Sequence, residues 1–213
     1  MIDPHEKVSS KMKRKPPLAL LAAVTVASTL ATPAFAEEGT YMMRVRALNM
    51  QVDNGNSPDV TGAKVELNNK TFPEIDFVYN FTKNLAAELV LTYPQKHDVK
   101  LQGNNIGSLK HLPPTLTLQY YFAPGNSVNP YVGAGINYTR FMSANLPTGI
   151  STDKDSFGPA AQIGIDFEVA KNTYINLDFK RVNIKTDVKV NGAKLTTLKV
   201  DPNLVSIGIG WRF

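Results

Sequence analysis

The sequence predicts an all-β protein: an eight-stranded antiparallel up-and-down transmembrane barrel with long extracellular loops and short periplasmic turns. Three observations predict it. Eight segments carry large apolar residues at every second position, the period of a strand with two different faces. The links between them alternate between short and long. The final segment, Leu204 to Phe213, keeps its alternation up to a terminal aromatic residue, as expected of a strand that stops at a membrane interface.

The segments are Thr40 to Met50, Phe72 to Phe81, Leu85 to Gln95, Pro114 to Phe122, Tyr131 to Phe141, Phe157 to Val169, Thr173 to Lys185 and Val200 to Phe213. The apolar phase is clean in most of them, as in Ile75, Phe77, Tyr79 and Phe81, in Leu116, Leu118, Tyr120 and Phe122, and in Ile175, Leu177 and Phe179. Their lengths are near the roughly 9 to 11 residues of a tilted membrane strand. Thr82 to Asn84, Ala123 to Pro130 and Ala170 to Asn172 form the short links. Gln51 to Thr71, Lys96 to Pro113, Met142 to Ser156 and Thr186 to Lys199 form the long ones. Short turns at one end and long loops at the other put both termini at the periplasmic end of an outer-membrane barrel.

Residues 1–36 read as a secretory signal peptide with an N-terminal extension. The basic cluster Lys11 to Lys15 precedes the apolar run Leu18 to Leu30 and the small-x-small pattern Pro33-Ala34-Phe35-Ala36, which makes Glu37 the first mature residue. The run is shorter than the roughly 20 residues that a spanning helix needs. Met12 is a plausible true start, and residues 37–213 form the single barrel domain. Five of the 23 basic and two of the 18 acidic residues lie in the leader, so 18 and 16 remain and the mature chain carries only +2. Nothing in that balance points to nucleic acid. No apolar run after Ala36 is long enough for a spanning helix, so crossing a membrane requires a closed barrel.

A soluble eight-stranded barrel of the lipocalin kind shares the alternation, and charge placement separates the two. Arg44, Arg46, Asp76, Glu88, Asp166, Asp178 and Lys180 share the inward phase, whereas the outward phase is nearly uncharged through the strand centres. Arg140 and Arg181 are the exceptions; near the loop ends, they are placed to snorkel or to meet lipid phosphates. An eight-stranded interior is only wide enough for side chains. The inward charges are therefore expected to form an ion network that plugs the periplasmic half, with Gly133, Gly135, Gly208 and Gly210 making room for it.

The stretches His111-Leu112-Pro113-Pro114-Thr115-Leu116 and Pro130-Tyr131-Val132-Gly133-Ala134-Gly135-Ile136-Asn137-Tyr138-Thr139 resemble the signature stretches of the OmpW/AlkL family of small outer-membrane proteins. Ala160 to Gly164, Asp201-Pro202 and the terminal aromatic resemble it too, so the likeness covers essentially the whole mature chain. It implies an eight-stranded barrel that admits small hydrophobic compounds and releases them sideways into the bilayer. It also implies that Phe213 is a signal to the outer-membrane assembly machinery. The family's lumen narrows at an apolar residue matching Val90 and an aromatic matching Lys180; the lysine departs from that pattern and is placed to pair with Glu88 or Asp178. Leu48 and Met50, inward near the loop end of the first strand, are candidates for an apolar vestibule.

A solute stopped by a charged floor has the wall as its remaining exit. Strand prolines loosen pairing because they cannot donate a ladder hydrogen bond, and Pro94, Pro113 and Pro114 bracket the link between strands three and four, with Pro73 on strand two. The other reading of these prolines is that they only end strands and shape loops. The expected partners are outer-membrane lipid and lipopolysaccharide, small hydrophobic solutes and the assembly machinery. The chain has no Cys, and its two mature histidines, His97 and His111, flank one loop; no metal site, cofactor or catalytic residue is indicated, Ser108 near His111 being too weak a sign of one. The alternative function is a receptor, adhesion or structural barrel that works through its loops over a packed lumen.

Overall fold

A computed structural model describes residues 39–57 and 64–213; the signal-peptide reading lies outside the described residues. The chain forms strands β1 (Tyr41–Gln51), β2 (Gly55–Ser57), β3 (Val65–Leu67), β4 (Lys70–Asn80), β5 (Leu85–Thr92), β6 (Gln95–Leu101), β7 (Asn104–Leu112) and β8 (Thr115–Tyr121). It continues with β9 (Val128–Asn145), β10 (Ile150–Thr152), β11 (Asp155–Ala170), β12 (Thr173–Val182), β13 (Lys185–Val190), β14 (Ala193–Lys199) and β15 (Asn203–Arg212). Eight of these make the barrel, in the order β1, β4, β5, β8, β9, β11, β12, β15, all neighbours antiparallel. The ring closes where β1 meets β15, from Met42 opposite Arg212 to Gln51 opposite Asn203. Closure leaves no sheet edge in a medium that cannot hydrogen-bond to it.

Alternation sorts the side chains. Phe77, Leu89, Leu118, Ile136, Ile163, Leu177, Ile207 and Ile209 all point outward and stay exposed in the isolated chain. An aromatic group gathers at the short-turn end, where Tyr41 packs on Tyr79 at 4.9 Å and Tyr79 on Phe81 at 5.1 Å between ring centroids. Phe213 stacks on Tyr41 at 6.4 Å and exchanges both backbone hydrogen bonds with it, which fastens the last residue to the first strand.

The long links are not irregular loops. Each carries strands that raise the wall above the barrel: β2 and β3 in the first, the β6–β7 hairpin in the second, upper β9 with β10 in the third, and the β13–β14 hairpin in the fourth. Gln102-Gly103 and Asn191-Gly192 take positive φ at both positions (50° and 82°, 50° and 83°), the type I′ geometry that matches strand twist in a two-residue hairpin turn. The raised walls enclose an apolar core of Val65, Leu67, Val99, Leu109, Val188 and Leu198, continuous with Leu48, Met50 and Phe72 below.

The outward belt makes a depth-dependent prediction. In refolded vesicles, Ile207→Arg at mid-strand should lower the unfolding free energy by about 2 to 4 kcal/mol, and Phe157→Arg near the loop-side rim by about 1 kcal/mol or less. Urea titration followed by tryptophan fluorescence checks this, and equal costs would place the belt at the wrong height.

Candidate functional site

Strand β1 is a ruler for the lumen. Its inward residues, Met42, Arg44, Arg46, Leu48 and Met50, are all buried and run from the short-turn end upward. Beside Met42 lie Val78, Ala86, Tyr121, Tyr131 and Tyr174, a mostly aromatic layer. The next two positions are cationic, and the two above them apolar. The interior therefore has three tiers, each dictated by the type of residue that the two-residue period turns inward.

In the charged tier, Arg44 Nη2 donates to Asp166 Oδ2 at 2.6 Å and to the Tyr121 hydroxyl at 2.7 Å, and its Nη1 donates to Glu88 at 3.2 Å. Arg46 Nε lies 2.6 Å from Glu74 and 2.7 Å from Asp76, its Nη2 3.4 Å from Glu88 and its Nη1 3.9 Å from Asp178. Lys180 Nζ is 3.5 Å from Glu88 and 3.7 Å from Asp178. Neutral groups complete the set: the Tyr131 hydroxyl donates to Asp178 at 2.8 Å, Asn176 to Asp166 at 2.8 Å, and Ser206 to Glu74 at 3.1 Å. Glu74, Tyr121 and Tyr131 escaped the sequence reading. Glu74 was detectable, because it shares the inward phase with Asp76, two residues away. A Cβ on Gly208 would first strike the β1 backbone at Val45 O and Arg46 Cα, and one on Gly210 would meet Arg44 Cγ at 3.0 Å, so Gly210 makes room for an arginine stem. Gly133 does the same for Gln162, whereas Gly135 faces the backbone of β8.

Above the charges lies a cavity of about 20 Å³ lined by Leu48, Met50, Phe72, Val90, Pro113 and Lys180 among others. It holds about one water, so a larger solute could pass only if these side chains moved. A second, wholly apolar cavity of about 50 Å³ lies higher, among Val65, Leu67, Val99, Leu109, Leu146 and Val188. Val90, Leu48 and Met50 thus surround the lower cavity together, and Lys180 stands where apolar lumen meets charge.

The wall beside that cavity is interrupted. Strand β5 pairs with β8 up to Val90 opposite Thr115, and pairing of the same two chain segments resumes at Gln95 opposite His111. Between these points Leu91 to Pro94 and Leu112 to Pro114 form no ladder pair across the seam. The β4–β5 ladder also ends, at Glu74 opposite Thr92, next to Pro73. Three prolines in the gap remove donors on both sides of it. The inward phase shifts by one residue there, from Glu88 and Val90 below to Gln95, His97 and Val99 above.

The two outward cations have partners at the loop end of the barrel: Arg181 Nη2 donates to Asp53 at 2.7 Å and Nη1 to Asn203 at 2.8 Å, and Arg140 lies 4.0 Å from Asp155. The central network makes a sharper prediction. Arg46→Met leaves Glu74 and Asp76 buried side by side and should cost about 3 to 5 kcal/mol, while the triple change with Glu74→Gln and Asp76→Asn should cost clearly less. Urea unfolding in vesicles checks this; an equally costly triple variant would mean that Arg46 acts through packing alone.

Comparison with known proteins places this geometry. The OmpW family model matches residues 37–213. An uncharacterized outer-membrane protein, y4mB of Sinorhizobium fredii, is 37% identical over 182 residues, covering 81% of this chain and 80% of the relative. Outer membrane protein W of Vibrio cholerae is 34% identical over 92% of this chain and 97% of the relative. The crystal structure of the outer membrane protein OprG from Pseudomonas aeruginosa superposes with a TM-score of 0.74 at 28% identity, covering 83% of this chain and 97% of that one. The outward apolar belt, the closed ring of eight strands and the matched length agree, and the chain belongs to the OmpW family of bacterial outer-membrane barrels.

Proposed function

We propose that this barrel passes small hydrophobic molecules passively from the extracellular side into the outer membrane, releasing them sideways through the gap between β5–β6 and β7–β8. The observation that carries this reading is the coincidence of the gap with the lower apolar cavity: Pro113 and Thr92 line the cavity and also stand on opposite sides of the missing ladder. Axial passage is opposed by the tier of Arg44, Arg46, Asp76, Glu88, Asp166 and Asp178, which acts as the periplasmic plug. An apolar solute crossing it would have to displace paired charges without replacing any of their contacts, a cost of several kcal/mol per ion. Val90 and Lys180, with Leu48 and Met50, form the gate above that plug. Pro94, Pro113 and Pro114 form the lateral opening, Arg140 and Arg181 meet lipopolysaccharide phosphates at the rim, and Phe213 presents the closing strand to the assembly machinery.

Because the chain lacks cysteine, the exit can be stapled cleanly. Cells carrying the protein should take up the apolar fluorescent probe N-phenyl-1-naphthylamine faster than cells carrying an empty vector. The Thr92→Cys/Pro113→Cys variant should lose that gain when oxidised and regain it on reduction. Uptake that persists in the oxidised variant would overturn lateral release; no gain from the unaltered protein would overturn transport and leave a loop-based role.

A further inference from the structure

Between the two apolar cavities the β5–β6 and β7–β8 wall turns inward a group of polar side chains that neither the ion network nor the apolar path uses. Gln95, His97 and His111 are at most 1% exposed. Gln95 stands opposite His111 and His97 opposite Leu109, so the next inward neighbours, Val99 and Leu109, line the upper cavity. On the other side, Thr92 and Pro113 line the lower one. Along the wall this step separates the lining of the lower cavity from that of the upper one. The imidazoles of His97 and His111 stack there, 4.8 Å apart and 17° from parallel, with Phe141 edge-on to His111 at 6.2 Å.

Hydrogen-bond bookkeeping at this step is unbalanced in one direction. His97 Nδ1 lies 2.9 Å from the Asn68 carbonyl, which only accepts, so Nδ1 carries the proton and Nε2 of the neutral ring is left as an acceptor. Gln95 Nε2 donates to the Tyr93 carbonyl at 3.0 Å. Among the described residues, His97 Nε2, Gln95 Oε1, both nitrogens of His111 and Thr92 Oγ have no protein partner. Burial pushes both imidazoles down, that of His111 to about 3, so both rings are neutral in ordinary media. A neutral His111 then offers one donor and one acceptor, and the Thr92 hydroxyl one donor and two acceptor lone pairs. The surplus is of acceptors, each costly to leave unmet in an apolar interior.

We propose that this step is a binding subsite for the hydroxyl group of an amphiphilic solute, an aliphatic alcohol or a phenol, whose chain or ring occupies the apolar cavities. The hydroxyl donates to His97 Nε2 or Gln95 Oε1 and accepts from the His111 N–H. An alkane meets none of these atoms, and a carboxylate brings acceptors to a place already rich in them. The subsite rests on the transport reading above and narrows its substrate class.

The test uses the full chain, labelled with ¹⁵N-histidine and methyl-labelled at valine and leucine, in phosphatidylcholine nanodiscs, titrated with 1-octanol, n-octane or octanoate. Signals of His97 and His111 are assigned with His97→Gln and His111→Gln. Octanol should shift the His97 and His111 ring nitrogens, and octane should move only the Val90 and Leu109 methyls. His97→Phe/His111→Phe should weaken octanol binding about five- to tenfold and leave octane binding unchanged, the loss expected for one or two neutral hydrogen bonds. The glutamine variants, which keep a donor and an acceptor, should retain most of it. Heat-dependent gel mobility reports whether each variant folds. If octane moves the methyls while octanol leaves the imidazoles unchanged, the polar groups serve only water and the subsite is wrong. An equal preference for octanoate would also overturn it. If neither probe moves any lumen signal, the transport reading falls as well.

Discussion

Two fully buried guanidinium groups, Arg44 and Arg46, set the terms for the rest of this barrel. A charge taken out of water is tolerable only where paired charges and hydrogen bonds meet it. Here the partners come from β4, β5, β8, β11 and β12, so most are not ladder neighbours of β1. Backbone ladders hold each strand to the next, and the charged tier ties strands across the lumen. It also fixes the register. A slip of one residue in β1 would turn Arg44 and Arg46 to the lipid face and Val45 to the carboxylates, which makes the native pairing far more favourable than its nearest competitor.

That tier decides what the space above it can be. Buried charged side chains fill the lumen below, the lipid-facing belt is apolar, and the raised hairpins pack Val65, Leu67, Val99, Leu109, Val188 and Leu198 into an apolar upper chamber. For the lateral release proposed above, apolar surface on both sides of the wall would lower the cost of a crossing, provided that the ladder is already broken. The seam at Leu91 to Pro94 and Leu112 to Pro114 meets that condition without leaving a full row of free donors, because three of its residues are prolines.

Much of this was legible in the sequence because a barrel wall has one period and two solvents. Ile75, Phe77, Leu116, Leu118, Ile207 and Ile209 disclosed the lipid face, and Arg44, Arg46, Asp76 and Asp178 the lumen. What stayed hidden depended on contacts that periodicity does not encode. Tyr121 and Tyr131 turn inward as hydrogen-bonding members of the charged tier, although aromatic residues near strand ends read first as interfacial. The hairpins in the long links were visible in principle, since Asn191-Gly192 between two alternating runs is a strong two-residue turn signal. The outward cations showed their position but not their partners, because Asp53 meets Arg181 only once a loop 128 residues away folds back.

The phase shift at Tyr93 and Pro94 links the proposed exit to the polar step above it. Had β5 kept its phase, Thr92, Pro94 and Lys96 would face inward; the extra residue instead brings Gln95 and His97 in and sends Lys96 out. Without it, the passage between the cavities would be lined by a proline with no donor and a lysine needing a counter-ion. With it, the same stretch presents neutral acceptors beside an apolar path. The irregularity that interrupts the ladder is therefore the one that would give the proposed path its polar step.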